Sequence, residues 1–230
     1  MRNSEAAKPL SSSTGDYLKA IRELSEAGVA STTGIAARLS VAPGSVTRMF
    51  GRLQEMGLIE HEPYRGASLT ERGRTEALRL VRRHRLIETF LLEHLGYSWQ
   101  EVHEEAERLE HAVSDKFAER LAELLGHPDR DPHGAPIPKA DGVLVHESSY
   151  PLSEATVGDR VRISRIRNED VTVLTYLGER ELVPGRLLSV EEVRALDGVV
   201  TVEDEDGTSH SLGPSLAASV FVQDLSRRGD

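Results

Sequence analysis

Val41-Ala42-Pro43-Gly44-Ser45-Val46-Thr47-Arg48-Met49-Phe50-Gly51-Arg52-Leu53 decides the architecture of the N-terminal third. Proline presets its own φ and lacks only an N–H that the first turn of a helix leaves unused, so Pro43 opens a helix here. Val46, Met49 or Phe50, and Leu53 recur at helical spacing, and Gly57 closes the helix after Met56. Ser40-Val41-Ala42 is a short break, and before it Thr32-Thr33 cap a helix holding Ile35, Ala36 and Leu39. A first helix over Thr14 to Ala27 buries Tyr17, Leu18, Ile21 and Leu24 and stops at Gly28, while residues 1–12 are a polar, Ser-rich arm. Two short helices joined by a tight turn predict a helix-turn-helix.

Forward of this stretch, Leu58-Ile59-Glu60-His61 reads as a strand, Pro63-Tyr64-Arg65-Gly66 as a turn and Ala67-Ser68-Leu69 as the returning strand. Thr70 then caps a long helix with Leu78, Val81, Leu86, Phe90 and Leu91. A β-hairpin directly after a helix-turn-helix makes a wing, with Arg65 at its tip able to reach a phosphate or a minor groove. The outer face of the second helix offers Gly44, Ser45, Thr47, Arg48 and Arg52. Small hydroxyl side chains suit base edges or thymine methyls, and arginines suit phosphate or guanine. Any one of these alone is an ordinary helix-surface residue; the assembled order points to duplex DNA.

The net charge of −10 agrees with that reading only once it is divided along the chain. Residues 1–83 carry 13 Lys and Arg against 9 Asp and Glu, net +4, and the remaining 147 carry 15 against 29, net −14. Cysteine is absent, which removes disulfides, thiolate zinc sites and cysteine nucleophiles. An aromatic content of 4% favours several small domains over one large core. Without a long apolar run or a signal-peptide pattern, a soluble cytoplasmic protein is expected.

The acidic part opens with His103-Glu104-Glu105-Ala106-Glu107-Arg108-Leu109-Glu110-His111. On a helical wheel His103, Glu107, Glu110 and His111 share an arc of about 100°. Val102, Ala106, Leu109, Val113 and Phe117 form an apolar stripe beside it, in a helix expected to run to Gly126. Polar groups at the edge of a core need a partner, and a divalent cation supplies one; a solvated acidic face is the plainer alternative. His84 and Glu88 face the same way one turn apart on the preceding helix, as a ligand pair or a simple ion pair. The apolar residues of these two helices exceed what the pair can bury, so the segment is expected to dimerise.

His127 to Pro138 is a Pro-rich connection read as extended, with its histidines exposed. After Tyr150 strand patterns take over: Asp159 to Ile166 alternates, Val171 to Leu177 is a mixed apolar segment, and Leu182-Val183-Pro184-Gly185 turns into Arg186 to Val190. Val199 to Val202 and Ser209 to Leu212 flank the acidic turn Glu203 to Gly207, and Val220-Phe221-Val222 is a last strand. The expectation is a small β-barrel of SH3 size.

Val41 to Met49 and the wing Tyr64-Arg65-Gly66 resemble the recognition segment and wing of the diphtheria-toxin-repressor family of metal-dependent transcriptional regulators, in its manganese-responsive branch. His84-Arg85-Leu86-Ile87-Glu88 and Glu107 to Ser114 are similar to that family's two metal-ligand motifs, and Asp131 to Pro138 to its linker. The resemblance implies one site from Asp16, Glu107, Glu110 and His111 and another from His84, Glu88 and His103, with an acid such as Glu169 or Asp170 added from the SH3-like domain. For Asp16, a first-turn acid at a helix N-terminus is the alternative. Where the iron-responsive branch has cysteine and methionine, Glu107 and Asp16 stand here, and hard carboxylates suit Mn(II).

The expected protein is multidomain, mainly α with a small β domain. Its parts are a winged helix-turn-helix over 1–75, a helical metal-binding and dimerisation domain over 76–140, a linker over 141–151 and an SH3-like (FeoA-like) domain over 152–230. The expected function is that of a homodimeric, Mn(II)-activated repressor of metal-uptake genes, with no enzymatic activity and no membrane partner. Each subunit holds two Mn(II) ions, for which Fe(II), Co(II) or Zn(II) can substitute, and the partner is a palindromic double-stranded operator. Thr32, Pro43, Gly44, Ser45, Thr47, Arg48, Arg52, Tyr64 and Arg65 are the expected DNA contacts. The alternatives are an iron-responsive regulator of the same family, a metallohydrolase using the His/Glu cluster, and a regulator sensing an organic ligand.

Overall fold

The computed structural model describes residues 10–62, 65–144, 148–167 and 170–225; the expected contact Tyr64 and the expected ligand Glu169 lie outside the described residues. The chain forms two compact units. One takes in residues up to Arg83 with Arg108–Phe117 and Pro138–Val143, the other His84–Glu107, Ala118–Ile137 and the chain from Leu144 onward.

In the first unit, α1 (Ser12–Ala27), α2 (Thr32–Arg38) and α3 (Pro43–Glu55) precede the hairpin β1 (Ile59–Glu62) and β2 (Gly66–Leu69) and the start of α4 (Glu71–Leu95). The α2 cap is Ser31 and not Thr32 or Thr33. Ser31 has extended backbone and its Oγ accepts from the Gly34 N–H at 3.0 Å, whereas both threonines are already helical. Thr70 does cap α4, accepting from the Gly73 N–H at 3.0 Å. One core joins these elements: Leu18 and Ile21 of α1, Ile35 of α2, Val46, Phe50 and Leu53 of α3, and Leu58 and Ile59 at the wing are all buried. Ala67 of β2 donates its N–H to the Ala30 carbonyl at 3.0 Å, which ties the wing to the strand-like link between α1 and α2.

The single helix expected from His103 to Gly126 is two helices, α5 (Val102–Leu109) and α6 (Asp115–Leu124). Ser114 Oγ accepts from the Phe117 N–H at 3.2 Å and starts the second. The apolar stripe therefore ends early: Val102 and Ala106 are buried, but Leu109 and Phe117 are 37% and 50% exposed.

In the second unit, the segment read as an extended connection is folded on itself. Asp131 Oδ1 accepts from the N–H groups of His133 and Ala135, both at 2.9 Å, and Arg130 bridges Pro136. The Trp99 indole N–H donates to the Pro132 carbonyl at 2.9 Å. This turn is also seated on the sheet. Gly134 has φ +84°, and a Cβ there would stand 2.1 Å from the Ser164 carbonyl oxygen, while Ile166 N–H donates to His133 O at 2.8 Å.

The sheet has six antiparallel strands, β3 (Tyr150–Pro151), β4 (Arg160–Ile166), β5 (Leu187–Val193), β6 (Val200–Asp204), β7 (Ser209–Leu212) and β8 (Val220–Asp224), in the order β3-β8-β4-β5-β6-β7. Register follows the alternation, as in Val161 opposite Leu188 and Val202 opposite His210. Val171 to Leu177 is part of a helix, α7 (Val171–Gly178), capped by Asp170 whose Oδ1 accepts from the Thr172 N–H at 2.7 Å. Leu174 and Leu177 of α7, and Ala217 of α8 (Pro214–Ser219), close the core against Val161, Ile163, Val190, Val202 and Val222.

Candidate metal centre

Within the first unit, α1 brings Asp16 and Lys19 to the chain that follows α5. His111 Nε2 lies 2.8 Å from Asp16 Oδ1 and 3.4 Å from Glu110 Oε1. Glu110 is fully buried, and the Lys19 ammonium donates to both of its oxygens at 2.9 and 3.0 Å. Such an approach needs a small residue beside Asp16: a Cβ on Gly15 would fall 2.9 Å from His111 Cε1. The hydrogen bond to Asp16 raises the His111 pKa above the ordinary histidine value, helped by the charge of Glu110 and opposed by burial and Lys19. The helix break does this work. Because α5 ends at Leu109, Glu110 is turned fully inward while Leu109 is left partly exposed. Glu107 sits on the last turn of α5, three residues before Glu110 and four before His111.

Within the second unit a tighter cluster surrounds Glu88. His84 Nε2 to Glu88 Oε1 is 2.9 Å, His84 Nε2 to His103 Nδ1 is 3.0 Å, and His103 Nδ1 to Glu88 Oε1 is 3.1 Å. A triangle with these edges matches one face of an octahedron whose bonds are about 2.1 Å. Burial alone would raise the Glu88 carboxyl; the His84 charge, hydrogen bonds from His103 and His84, and the His133 charge hold it well below the usual carboxylate range. The donor atoms are imidazole nitrogen and carboxylate oxygen, which fit a borderline or hard divalent ion.

Sequence reasoning missed a second group beside the same carboxylate. Glu88, Asp131 and His133 also offer atoms close enough to hold one ion. The expectation that the connecting histidines are exposed fails for His133, which is buried, while His127 is exposed. His133 Nε2 faces the Trp99 carbonyl at 3.0 Å and must donate to it. Its Nδ1 faces Glu88 Oε1 at 3.9 Å. Asp131 is more fully engaged, by two backbone N–H groups and by Arg85 at 3.3 Å. Burial pushes its carboxyl up, as does the charge of Glu88, against Arg85 and His133. The triangle of His84, Glu88 and His103 is the better-formed donor set. Nothing local in the sequence marks His133; its burial depends on Trp99, 34 positions away.

Residues 9–67 match the iron dependent repressor N-terminal DNA binding domain, 70–139 the iron dependent repressor metal binding and dimerisation domain, and 150–224 the FeoA domain. The iron-dependent repressor IdeR of Mycobacterium tuberculosis is 31% identical over 220 residues, which cover 90% of this chain and 95% of that protein. The chain belongs to the iron-dependent repressor family. Among solved structures, a manganese-dependent transcriptional repressor in complex with manganese is 38% identical, with a TM-score of 0.86 over 92% of this chain and 100% of that one. ScaR with bound Zn2+ is 34% identical, with a TM-score of 0.82 over 92% and 99%. Members of the iron-dependent repressor family are DNA-binding transcriptional repressors, which removes the metallohydrolase reading.

The DNA-binding domain of this family member presents its expected contacts unevenly. Pro43, Gly44, Ser45, Thr47, Arg48 and Arg52 are exposed on α3, and Thr32 is half-buried. Thr47 Oγ1 donates to the Pro43 carbonyl at 3.3 Å, so its hydroxyl proton points along its own helix. Arg65, 81% exposed, donates to the exposed Glu62 carboxylate at 3.1 Å. No helix among the described residues is long and apolar enough to cross a membrane.

Proposed function

We propose that this chain is a Mn(II)-activated repressor of metal-uptake genes that binds a palindromic double-stranded operator as a homodimer in the cytoplasm. One ion would be held by Asp16, Glu107, Glu110 and His111, a second by His84, Glu88 and His103 with His133 adjacent. The observation that carries the reading is the contact of Asp16, on the first helix of the DNA-binding domain, with His111. A bound ion supplies positive charge and directional bonds. Asp16 and His111 then hold α1, and α3 behind it through their shared core, in one arrangement. Fixing the recognition helices raises the fraction of dimers competent for two half-sites. Pro43, Gly44, Ser45, Thr47, Arg48 and Arg52, together with Thr32 and Arg65, would contact the operator, and Tyr64 is a further expected contact.

Manganese is favoured because the first donor set has three carboxylates and one imidazole, with no sulfur. The iron-dependent relative keeps Fe(II) as the second reading. Electrophoretic mobility shift with chelator, then Mn(II), Fe(II), Co(II) and Zn(II) separately, decides between them: Mn(II) is expected to restore operator binding at the lowest concentration. Binding that persists in chelator overturns metal activation, and a lower threshold for Fe(II) overturns the choice of ion.

A further inference from the structure

Lys19 stands in this centre, yet neither the proposed ligand set nor the proposed DNA contacts use it. Its Nζ lies 2.9 and 3.0 Å from the two oxygens of Glu110, a carboxylate with a side chain 0% exposed, and Lys19 itself is 11% exposed. It stands three residues after Asp16, on the same face of α1. Both oxygens of the buried Glu110 are thus held by a cation of the protein's own.

We propose that Lys19 is an internal competitor for the metal, and that it sets the metal concentration at which repression begins. The inference rests on the metal centre proposed above. An ion bonded to Glu110 must take at least one oxygen that the ammonium holds, and a divalent ion and an ammonium within a few ångströms repel strongly where water is scarce. Lysine suits such a role: its charge is a point on a flexible stem, and from the edge of the site it can swing to water without moving α1. Lys19 also gives the buried Glu110 carboxylate a counter-charge in the metal-free protein.

The sign of one measurement separates this from a supporting role. Lys19→Met in the full-length chain removes the charge and keeps the stem. Mn(II) titrated by calorimetry should bind about tenfold more tightly or better, because a like charge is gone. The metal-free melting temperature should fall, and the rise on adding Mn(II) should grow. Lys19→Gln, which keeps an N–H donor for Glu110, gives the same direction with a milder folding defect, and Lys19→Arg should stay near wild type. Equal or weaker Mn(II) binding in both neutral variants overturns the proposal, since a supporting partner would weaken the site when lost. His111→Ala distinguishes the two levels of failure. If it titrates as wild type, the centre is not where it is proposed and the inference falls with it. If it loses a site while the neutral Lys19 variants gain nothing, only the role of Lys19 falls.

Discussion

His111 Nε2 and Asp16 Oδ1 lie 2.8 Å apart although 95 positions separate the residues in sequence. The contact joins the first helix of the DNA-binding domain to the chain that leaves α5. In Asp16→Ala the remaining carboxylates and imidazoles are expected to hold metal more weakly, so part of the metal-induced rise in melting temperature survives. The metal-dependent gain in operator affinity should be lost. Calorimetry for metal and fluorescence anisotropy for DNA, on one preparation, read the two effects; wild-type coupling in the variant would reduce Asp16 to a helix-start acid.

Glu107 is where ligand softness can be changed. Glu107→Cys is expected to weaken the response to Mn(II) relative to Zn(II) or Fe(II), since a soft thiolate replaces a hard carboxylate. Metal-titrated anisotropy would show the order of metals change, and an unchanged order removes Glu107 from the ligand set.

On α3, Arg48 and the hydroxyl residues should differ in kind. Arg48→Ala is expected to weaken all operator sequences alike and to reduce the slope of log affinity against log salt by about one unit. Ser45→Ala should instead alter the preference among operator variants. A uniform loss for Ser45→Ala would assign it to the backbone.

The sheet domain carries a pH signature of its own. Asp204 is held well below the ordinary carboxylate range by its hydrogen bond from His210 at 3.0 Å, then by the Thr208 N–H and Arg186. A depressed folded-state value contributes stability present above the unfolded value of about 3.9 and lost as pH falls through the folded one. Asp204→Asn should therefore lower the melting temperature at neutral pH, with the gap to wild type closing on acidification below about pH 4. A gap constant from pH 7 to pH 3 would show that the charge of Asp204 is not what matters.

The legible parts of this chain were those that local periodicity writes. Leu18 with Ile21, and Val46 with Phe50 and Leu53, mark buried helix faces, and the alternation in β4 marks a strand. The break after Leu109 was hidden because Glu-Arg-Leu-Glu-His-Ala-Val keeps a helical period and contains neither Gly nor Pro. Only Ser114 hinted at a new start. Helix α7 was hidden by its β-branched and apolar composition, though Asp170 ahead of it is a recognisable cap. The chemistry of the centre divides along the same line. His84 and Glu88, one turn apart, can be read locally; Lys19 on Glu110 and His133 beside Glu88 come from tertiary packing, which spacing does not encode.

The turn at Asp131–Ala135 is pinned at two successive residues, by Gly134 against Ser164 and by His133 to Ile166, and it delivers His133 to Glu88. In evolutionary terms it is a fixed-length part. One inserted residue would displace either the side chain facing Glu88 or the backbone bond to β4, so drift in length should be purged there. The turn at Arg194–Gly198, where Leu196 stands fully in solvent, can grow without disturbing either.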